Sequence, residues 1–464
     1  MIDLQPVKGT RDFFPEEMRL RNWLFEVWRG ASVQAGFEEY DTCVLEHEEL
    51  YIRKAGDEIS KQLYSFEDKG GRRLSLRPEM TPSLARLVLQ YKKSLSFPIK
   101  WFSMPQCFRY ERMTKGRRRE HFQWNADIIG QPEMVAEAEI LMLLISACES
   151  MGLRANDIRI FINDRRILNA ILSQLNVPHE LHSAVLVIMD KRDKISPKAL
   201  GKMLEEIGMS TSQVEQLNEF LSKSDLQELK DNLKDTEGIE ELQHLMQLME
   251  TAGYINYLEF DISIVRGLSY YTGAVFEVNS PGKQHRAICG GGRYDSLLST
   301  YGGETVPAVG FGFGDVVVLD VLKELERFPE LPRTLDYTII PFDSEQVGIA
   351  LKIAAGLRLQ GSTVDCNFSM KKMKKSITQL DVLVTIFIFI ISPLVAQDHI
   401  VPAMVNIPAG EYMMGHESDP EARPVHKVKI TEFYMAKYPV TVHEFRKFAL
   451  ETGFNPPADC NDYM

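Results

Sequence analysis

Between Glu16 and Gly36, the apolar residues Leu24, Val27, Trp28 and Ala31 recur at helical spacing, and the run closes on a glycine; this predicts a helix. Residues 40–110 alternate short apolar runs with turns, as in FEDKGGRRLSLRPEM, which predicts strands joined by a hairpin. A strong helix is predicted over Glu133–Met151. Residues 165–253 form a Leu-, Lys- and Glu-rich block with Pro and Gly at its joints, the pattern of an inserted helical module at about 168–253. Strand character returns in YLEFDISIVRGLSYYTGAVFEV, followed by the cluster Gly290, Gly291 and Gly292 and an apolar helix through Leu325. RFPELPRTLD reads as a linker, with a domain boundary near residue 333. Beyond it, LDYTIIPF, a helix over about Gln346–Gln360 and STVDCNF predict the β-α-β opening of a small α/β domain.

A length of 464 residues implies two to four domains, and 44% hydrophobic with 25% charged residues is the balance of a globular protein. The net charge of −12 leaves no global field for nucleic acid, so RNA binding would need local basic patches. Six cysteines (Cys43, Cys107, Cys148, Cys289, Cys366, Cys460) lie far apart with no paired spacing. That argues against zinc and disulfides and suits a reducing cytoplasm. The start, MIDLQPVKGTRDFFPEE, lacks the apolar run of a secretory signal.

Chemistry concentrates in MPQCFRYERMTKGRRREHFQWNADIIG, residues 104–130. An arginine in a strand just before a flexible loop carrying Lys115, Arg117, Arg118 and Arg119 suits a clamp for a phosphate. The loop's other cations suit RNA phosphates or base edges. An isolated KGRRR would more often be a solvated hairpin.

This stretch resembles motif 2 of the class II aminoacyl-tRNA synthetases in its histidine-specific form. KGTRDFFPEE, LRPEMTPSLARL, RGLSYYTGAVFEV and CGGGRYDSL resemble that family's further segments, in its order, over residues 7–315. The resemblance implies an α+β fold over residues 1–325: an antiparallel sheet flanked by helices, with the helical insertion within it. It also implies ligation of histidine to tRNA(His) with ATP and Mg²⁺, no prosthetic group or resident metal, a homodimer and no stable membrane association. Glu79 then takes the substrate's α-ammonium, with Thr81 beside it. Arg109 and Arg266 lie on the ATP α-phosphate, Arg109 also on the histidine carboxylate. Arg117 approaches the γ-phosphate, and Glu111 joins the ATP set. Gln123 and Asp127 help hold the amino acid, Asp127 where the family usually has Glu. Tyr270 and Tyr271 line the imidazole pocket. Lys115, Arg118 and Arg119 meet tRNA. The alternative is the catalytically silent, synthetase-like regulatory subunit of ATP phosphoribosyltransferase, which usually erodes the histidine-specific segments kept here.

The chain departs from that pattern in several places. Cys43 replaces the motif 1 proline, Ser269 stands where many members have Asp, and Val317 replaces the motif 3 arginine that stacks on adenine. An anticodon-binding domain opens at Leu335, but its match stops around Met370–Ile377, which predicts a truncated domain over 334–377. VLVTIFIFIISPLVAQ, after Lys371, Lys372, Lys374 and Lys375, has the layout of a signal peptide with a cut after Ala396; a buried strand has the same periodicity, so residues 370–397 stay open between the two. From Met404 the tail resembles the start of the formylglycine-generating-enzyme/sulfatase-modifying-factor family, which predicts a foreign fragment over 402–464.

Overall fold

The computed structural model describes residues 2–52, 61–114, 116–190, 192, 195–223, 225–266, 270–280, 286–341, 344 and 346–366, and then the short segments 383–390, 404–407, 410–414, 426–430 and 433–436. It divides into two units, Met1–Pro329 and Glu330–Met464.

The first unit opens with helix α1 (Pro15–Gln34). Its first turn carries Pro15, Glu16 and Glu17, where a missing N–H costs nothing and negative charge meets the positive helix end. Strands β1 (Glu38–Glu39) and β2 (Leu45–His47) and the short helix α2 (Glu49–Ile52) follow. The hairpin expected in residues 40–110 is β3 (Tyr64–Glu67) with β4 (Arg73–Leu76), and β2 completes a small sheet in the order β2-β4-β3. The structure adds a helix within the same region, α3 (Thr81–Tyr91), whose buried side holds Leu84, Ala85 and Val88.

Next come β5 (Ile99–Ser103), β6 (Gln106–Phe108), β7 (Glu120–Ile129), α4 (Val135–Ser150) and β8 (Arg159–Asp164). Six helices then run without an intervening strand among the described residues: α5 (Arg165–Gln174), α6 (His179–Met189), α7 (Pro197–Glu206), α8 (Thr211–Leu221), α9 (Leu226–Asn232) and α10 (Glu237–Thr251). Their starts follow the local sequence: Asp164 caps α5, Ser196 caps α7, and Ser210 with Gln213 forms a capping box on α8. Strands β9 (Leu258–Phe260), β10 (Ala274–Asn279) and β11 (Cys289–Arg293), helix α11 (Leu297–Thr300), strand β12 (Ala308–Gly314) and helix α12 (Asp315–Glu324) complete the unit.

The main sheet has the order β1-β5-β7-β12-β11-β10-β8-β9, with β6 pairing off β7; its pairings are antiparallel except β1 with β5 and β8 with β9. This is the mostly antiparallel, helix-flanked sheet expected from the sequence. The residue pattern alone does not predict strand β12, because three of its seven residues, Gly310, Gly312 and Gly314, are of a type depleted in strands. Its place is fixed by what lies on either side of it. Phe311 and Phe313 pack against Trp124 on the core face, while the glycines face the site described below.

Strand β7 sorts its residues with period two. Phe122 and Trp124 meet Phe25 and Trp28 of α1, and Ala126 and Ile128 continue that core. His121, Gln123, Asn125 and Asp127 face the other way.

In the second unit, β13 (Thr334–Pro341), α13 (Val347–Leu359) and β14 (Val364–Cys366) form the expected β-α-β start, around Ile339, Ala350, Ala354 and Val364. The apolar run left open between signal segment and strand forms β15 (Leu383–Ile390), parallel to β13 from Thr334↔Leu383 to Pro341↔Ile390. Farther on, β16 (Met404–Ile407) pairs with β19 (Phe433–Ala436), and β17 (Gly410–Met414) with β18 (His426–Ile430). The basic stretch Lys371–Lys375 and the expected cut after Ala396 lie outside the described residues.

Candidate active site

Glycines on β11 and β12 open a cleft over the sheet. A Cβ on Gly310 would lie 2.7 Å from the carbonyl oxygen of Ala126 and inside the carboxylate of Asp127. One on Gly312 would lie 2.9 Å from the amide carbon of Gln123, and one on Gly290 would occupy the guanidinium of Arg266. The glycines are there because charged and amide groups from neighbouring elements lie flat on the strands.

Along this floor the expected amino-acid residues converge. Glu79, between β4 and α3, is 6% exposed and accepts a hydrogen bond from the Tyr270 hydroxyl at 3.2 Å. Burial pushes its pKa up, while Arg109 and the Tyr270 bond pull it down. Thr81 is buried beside it, at the first turn of α3. The Tyr270 ring stands edge-on to Tyr294 at 6.0 Å and contacts Tyr271 at 5.1 Å. The Tyr294 hydroxyl donates to Oδ1 of Asp127 at 2.5 Å. Asp127 is 2% exposed, and burial, opposed by the Tyr294 bond, pushes its pKa up to about 7. Its Oδ2 and the buried hydroxyl of Tyr40 have no hydrogen-bond partner among the described residues. Gln123 donates to Asn125 at 2.9 Å and lies near His121, whose pKa burial lowers to about 3, so this imidazole is neutral.

The cationic wall is built from two elements. Arg109 follows β6, and its Nε donates to the carbonyl oxygen of Pro78 at 2.9 Å. Arg266 adopts φ +55°, an uncommon conformation for a non-glycine residue, and donates from Nη1 to Glu277 Oε2 at 2.7 Å. Burial alone would lower its pKa; Glu277 outweighs that and leaves it raised, so the guanidinium stays charged. Arg117 forms an ion pair with Glu111, across the tight turn closed by Thr114 and Arg117.

The profile of the histidyl-tRNA synthetase family fits residues 9–314. A chloroplastic/mitochondrial histidine–tRNA ligase of Arabidopsis thaliana is 49% identical over 374 residues, 80% of this chain and 77% of that protein. The chain belongs to the histidyl-tRNA synthetase family. A histidine–tRNA ligase of Opitutus terrae is 38% identical over 79% of this chain and 85% of its own length. The crystal structure of histidyl-tRNA synthetase from Nostoc sp. PCC 7120 superposes with a TM-score of 0.69 at 25% identity, covering 82% of this chain and 89% of that one. A second profile, the sulfatase-modifying factor enzyme 1-like domain, fits residues 392–463.

Not every expected residue joins the site. Lys115 and Ser269 lie outside the described residues. Arg118 is exposed, but Arg119 turns inward: its guanidinium stacks over Tyr110 at 4.1 Å, and its aliphatic stem fills the space a Cβ on Gly9 would take. It holds the loop's base against the N-terminal segment. Arg11 of that segment reaches Glu120 at 2.6 Å and Asp315 at 2.9 Å, and Asp315 Oδ1 accepts the Phe122 amide at 3.0 Å. The aspartate of the altered motif 3 therefore ties the start of α12 to β7.

Sequence reasoning missed Tyr40, His121, Tyr294 and Glu277. Only the CGGGRYDSL resemblance touched Tyr294, and no spacing rule pairs it with Asp127.

Proposed function

We propose that this chain activates histidine with ATP and transfers it to tRNA(His), and that the cleft above β7, β12 and β11 is where it does so. The observation that carries the reading is the path from Glu79 through Tyr270 and Tyr294 to Asp127. It has a carboxylate at one end for an α-ammonium and a buried, unpartnered carboxylate oxygen at the other for a ring N–H. An orphaned buried polar atom costs about 1–3 kcal/mol, and a ligand's ring N–H would satisfy this one. A site that must pair both ring nitrogens rejects apolar amino acids strongly.

Histidine's carboxylate attacks the ATP α-phosphorus in line, and pyrophosphate leaves. The work is positioning and charge stabilisation by Arg109 and Arg266, with no protein nucleophile. Arg117 and Glu111 serve the outer phosphates, where magnesium enters with the nucleotide as substrate. The tRNA's terminal hydroxyl then attacks the mixed anhydride and AMP leaves, with Lys115, Arg118 and Arg119 assigned to the tRNA side. Arg118 is the best placed of these, being exposed.

A homodimer is part of the proposal. Val44 and Leu45 in motif 1, with Ile52 and Phe66 nearby in the β2–β4–β3 region, are each 43–46% exposed, an apolar set suited to a second copy. A reducing compartment fits the free cysteines; the expected cytoplasm is one such compartment, and the Arabidopsis relative's name gives two others. Among the described residues no helix is long and apolar enough to cross a membrane.

Glu79→Ala tests the site assignment. In ATP–pyrophosphate exchange it should raise the KM for histidine at least tenfold and move the KM for ATP far less, because it leaves an α-ammonium unpaired. An unchanged histidine KM would remove Glu79 from the site.

A further inference from the structure

Position 317 holds valine where the pattern resembled by this chain has the arginine that stacks on adenine. The structure shows what lies beside it. Gly116, at φ +72°, packs so closely that an added Cβ would stand 3.3 Å from Val317 Cγ2 and 3.7 Å from Arg286 Cδ. The turn carrying Arg117 is thus seated against both the first turn of α12 and the stem of Arg286, which leads into β11. The Arg286 guanidinium is held in the same field as Arg117, Glu111, Arg109 and Glu277. Desolvation and the repulsion of Arg117 lower its pKa. Both acidic neighbours are already engaged, Glu111 by Arg117 and Glu277 by Arg266. No hydrogen bond of Arg286 is found among the described residues. Arg286 is exposed, so its guanidinium is open to a ligand that enters beside position 317.

We propose that Arg286 supplies the adenine-stacking surface that a valine at position 317 does not, laying its guanidinium plane on the purine of ATP. The proposal rests on the reading of this cleft as the ATP site. Three arginines already serve the phosphates in that reading, so a fourth adds little as charge. A planar guanidinium next to position 317 adds a stacking surface instead.

The test is ATP–pyrophosphate exchange with the full chain, varying ATP at saturating histidine and histidine at saturating ATP. Arg286→Ala should raise the KM for ATP about tenfold, the scale of one desolvated cation–π contact, and leave the KM for histidine within twofold. Arg286→Lys keeps the charge but loses the plane, so it should be nearly as weak as Arg286→Ala. Adenosine should inhibit both variants less well than the parent, while inhibition by tripolyphosphate is unchanged. Adding Val317→Arg to Arg286→Ala should recover ATP affinity. An unchanged KM for ATP in Arg286→Ala overturns the proposal. So does a parent-like Arg286→Lys, or weaker tripolyphosphate inhibition in either variant, because each marks a phosphate role. A parent that shows no histidine-dependent exchange would instead overturn the reading of the cleft.

Discussion

Tyr294 donates its hydroxyl hydrogen to Asp127 Oδ1 across 2.5 Å, joining two residues 167 positions apart. The bond orients a carboxyl group that burial leaves about half protonated at neutral pH.

That burial sets a pH dependence. The folded pKa of about 7 lies above the unfolded value of about 4, so the fold binds extra protons between them. The associated stability is full below about pH 4 and is lost as pH rises through 7. Asp127→Asn removes the charge and keeps the shape. Its unfolding free energy should exceed the parent's by a margin that grows by roughly 2.5 kcal/mol between pH 5 and pH 8. Denaturant melts at the two pH values check this; a constant margin contradicts it.

Arg266 and Glu277 separate chemistry from positioning. Arg266→Ala should cut exchange on the order of a hundredfold or more while the melting curve stays cooperative, since in the proposed reading it removes a cation aimed at developing phosphoryl charge. Glu277→Gln leaves the guanidinium in place but loosened, and should lower kcat with little change in KM for histidine. Rates within a few-fold of the parent in Arg266→Ala would show that the arginine is structural.

Much of this was readable in the sequence because it is local. The period-two split of EHFQWNADII, the helix starts at Pro15 and Ser210, and the spacing of LRPEM, FRYE and RGLSYY are short-range signals. What was not readable depends on tertiary contact. Gly310 and Gly312 look like strand breakers until Asp127 and Gln123 lie across them. Arg119 looks like a free cation until Tyr110 and Gly9 enclose it. The run Leu383–Ile390 carries no periodicity that tells strand from signal segment, and only its pairing with β13 decides the local structure.

The glycine floor predicts opposite signs for one substitution. Gly310→Ala forces a methyl group against Ala126 and Asp127 and should destabilise by about 1–3 kcal/mol. Gly30→Ala, in α1 with no atom within 4 Å of the added carbon, should stabilise by roughly 0.5–1 kcal/mol. Urea denaturation of both variants decides, and a neutral Gly310→Ala would mean the cleft is looser than described.

The two half-reactions should part company. In the proposed reading activation uses Glu79, Arg109, Gln123 and Arg266, all within the residues that match the synthetase profile. Transfer also needs tRNA held away from the cleft, and residues 392–463 match a different family. Fewer phosphate contacts weaken binding and flatten its salt dependence. Relative to a family member with a complete anticodon-binding domain, this chain should show comparable exchange but charging lower by at least tenfold. Equal charging efficiency would make the tail a working replacement.

Whether the cleft activates histidine is decided by ATP–pyrophosphate exchange on the full chain with each of the twenty amino acids in turn. Histidine alone should drive exchange well above background, and Arg266→Ala should abolish it. If no amino acid drives exchange, or one other than histidine does, the assignment of this cleft to histidine activation is wrong.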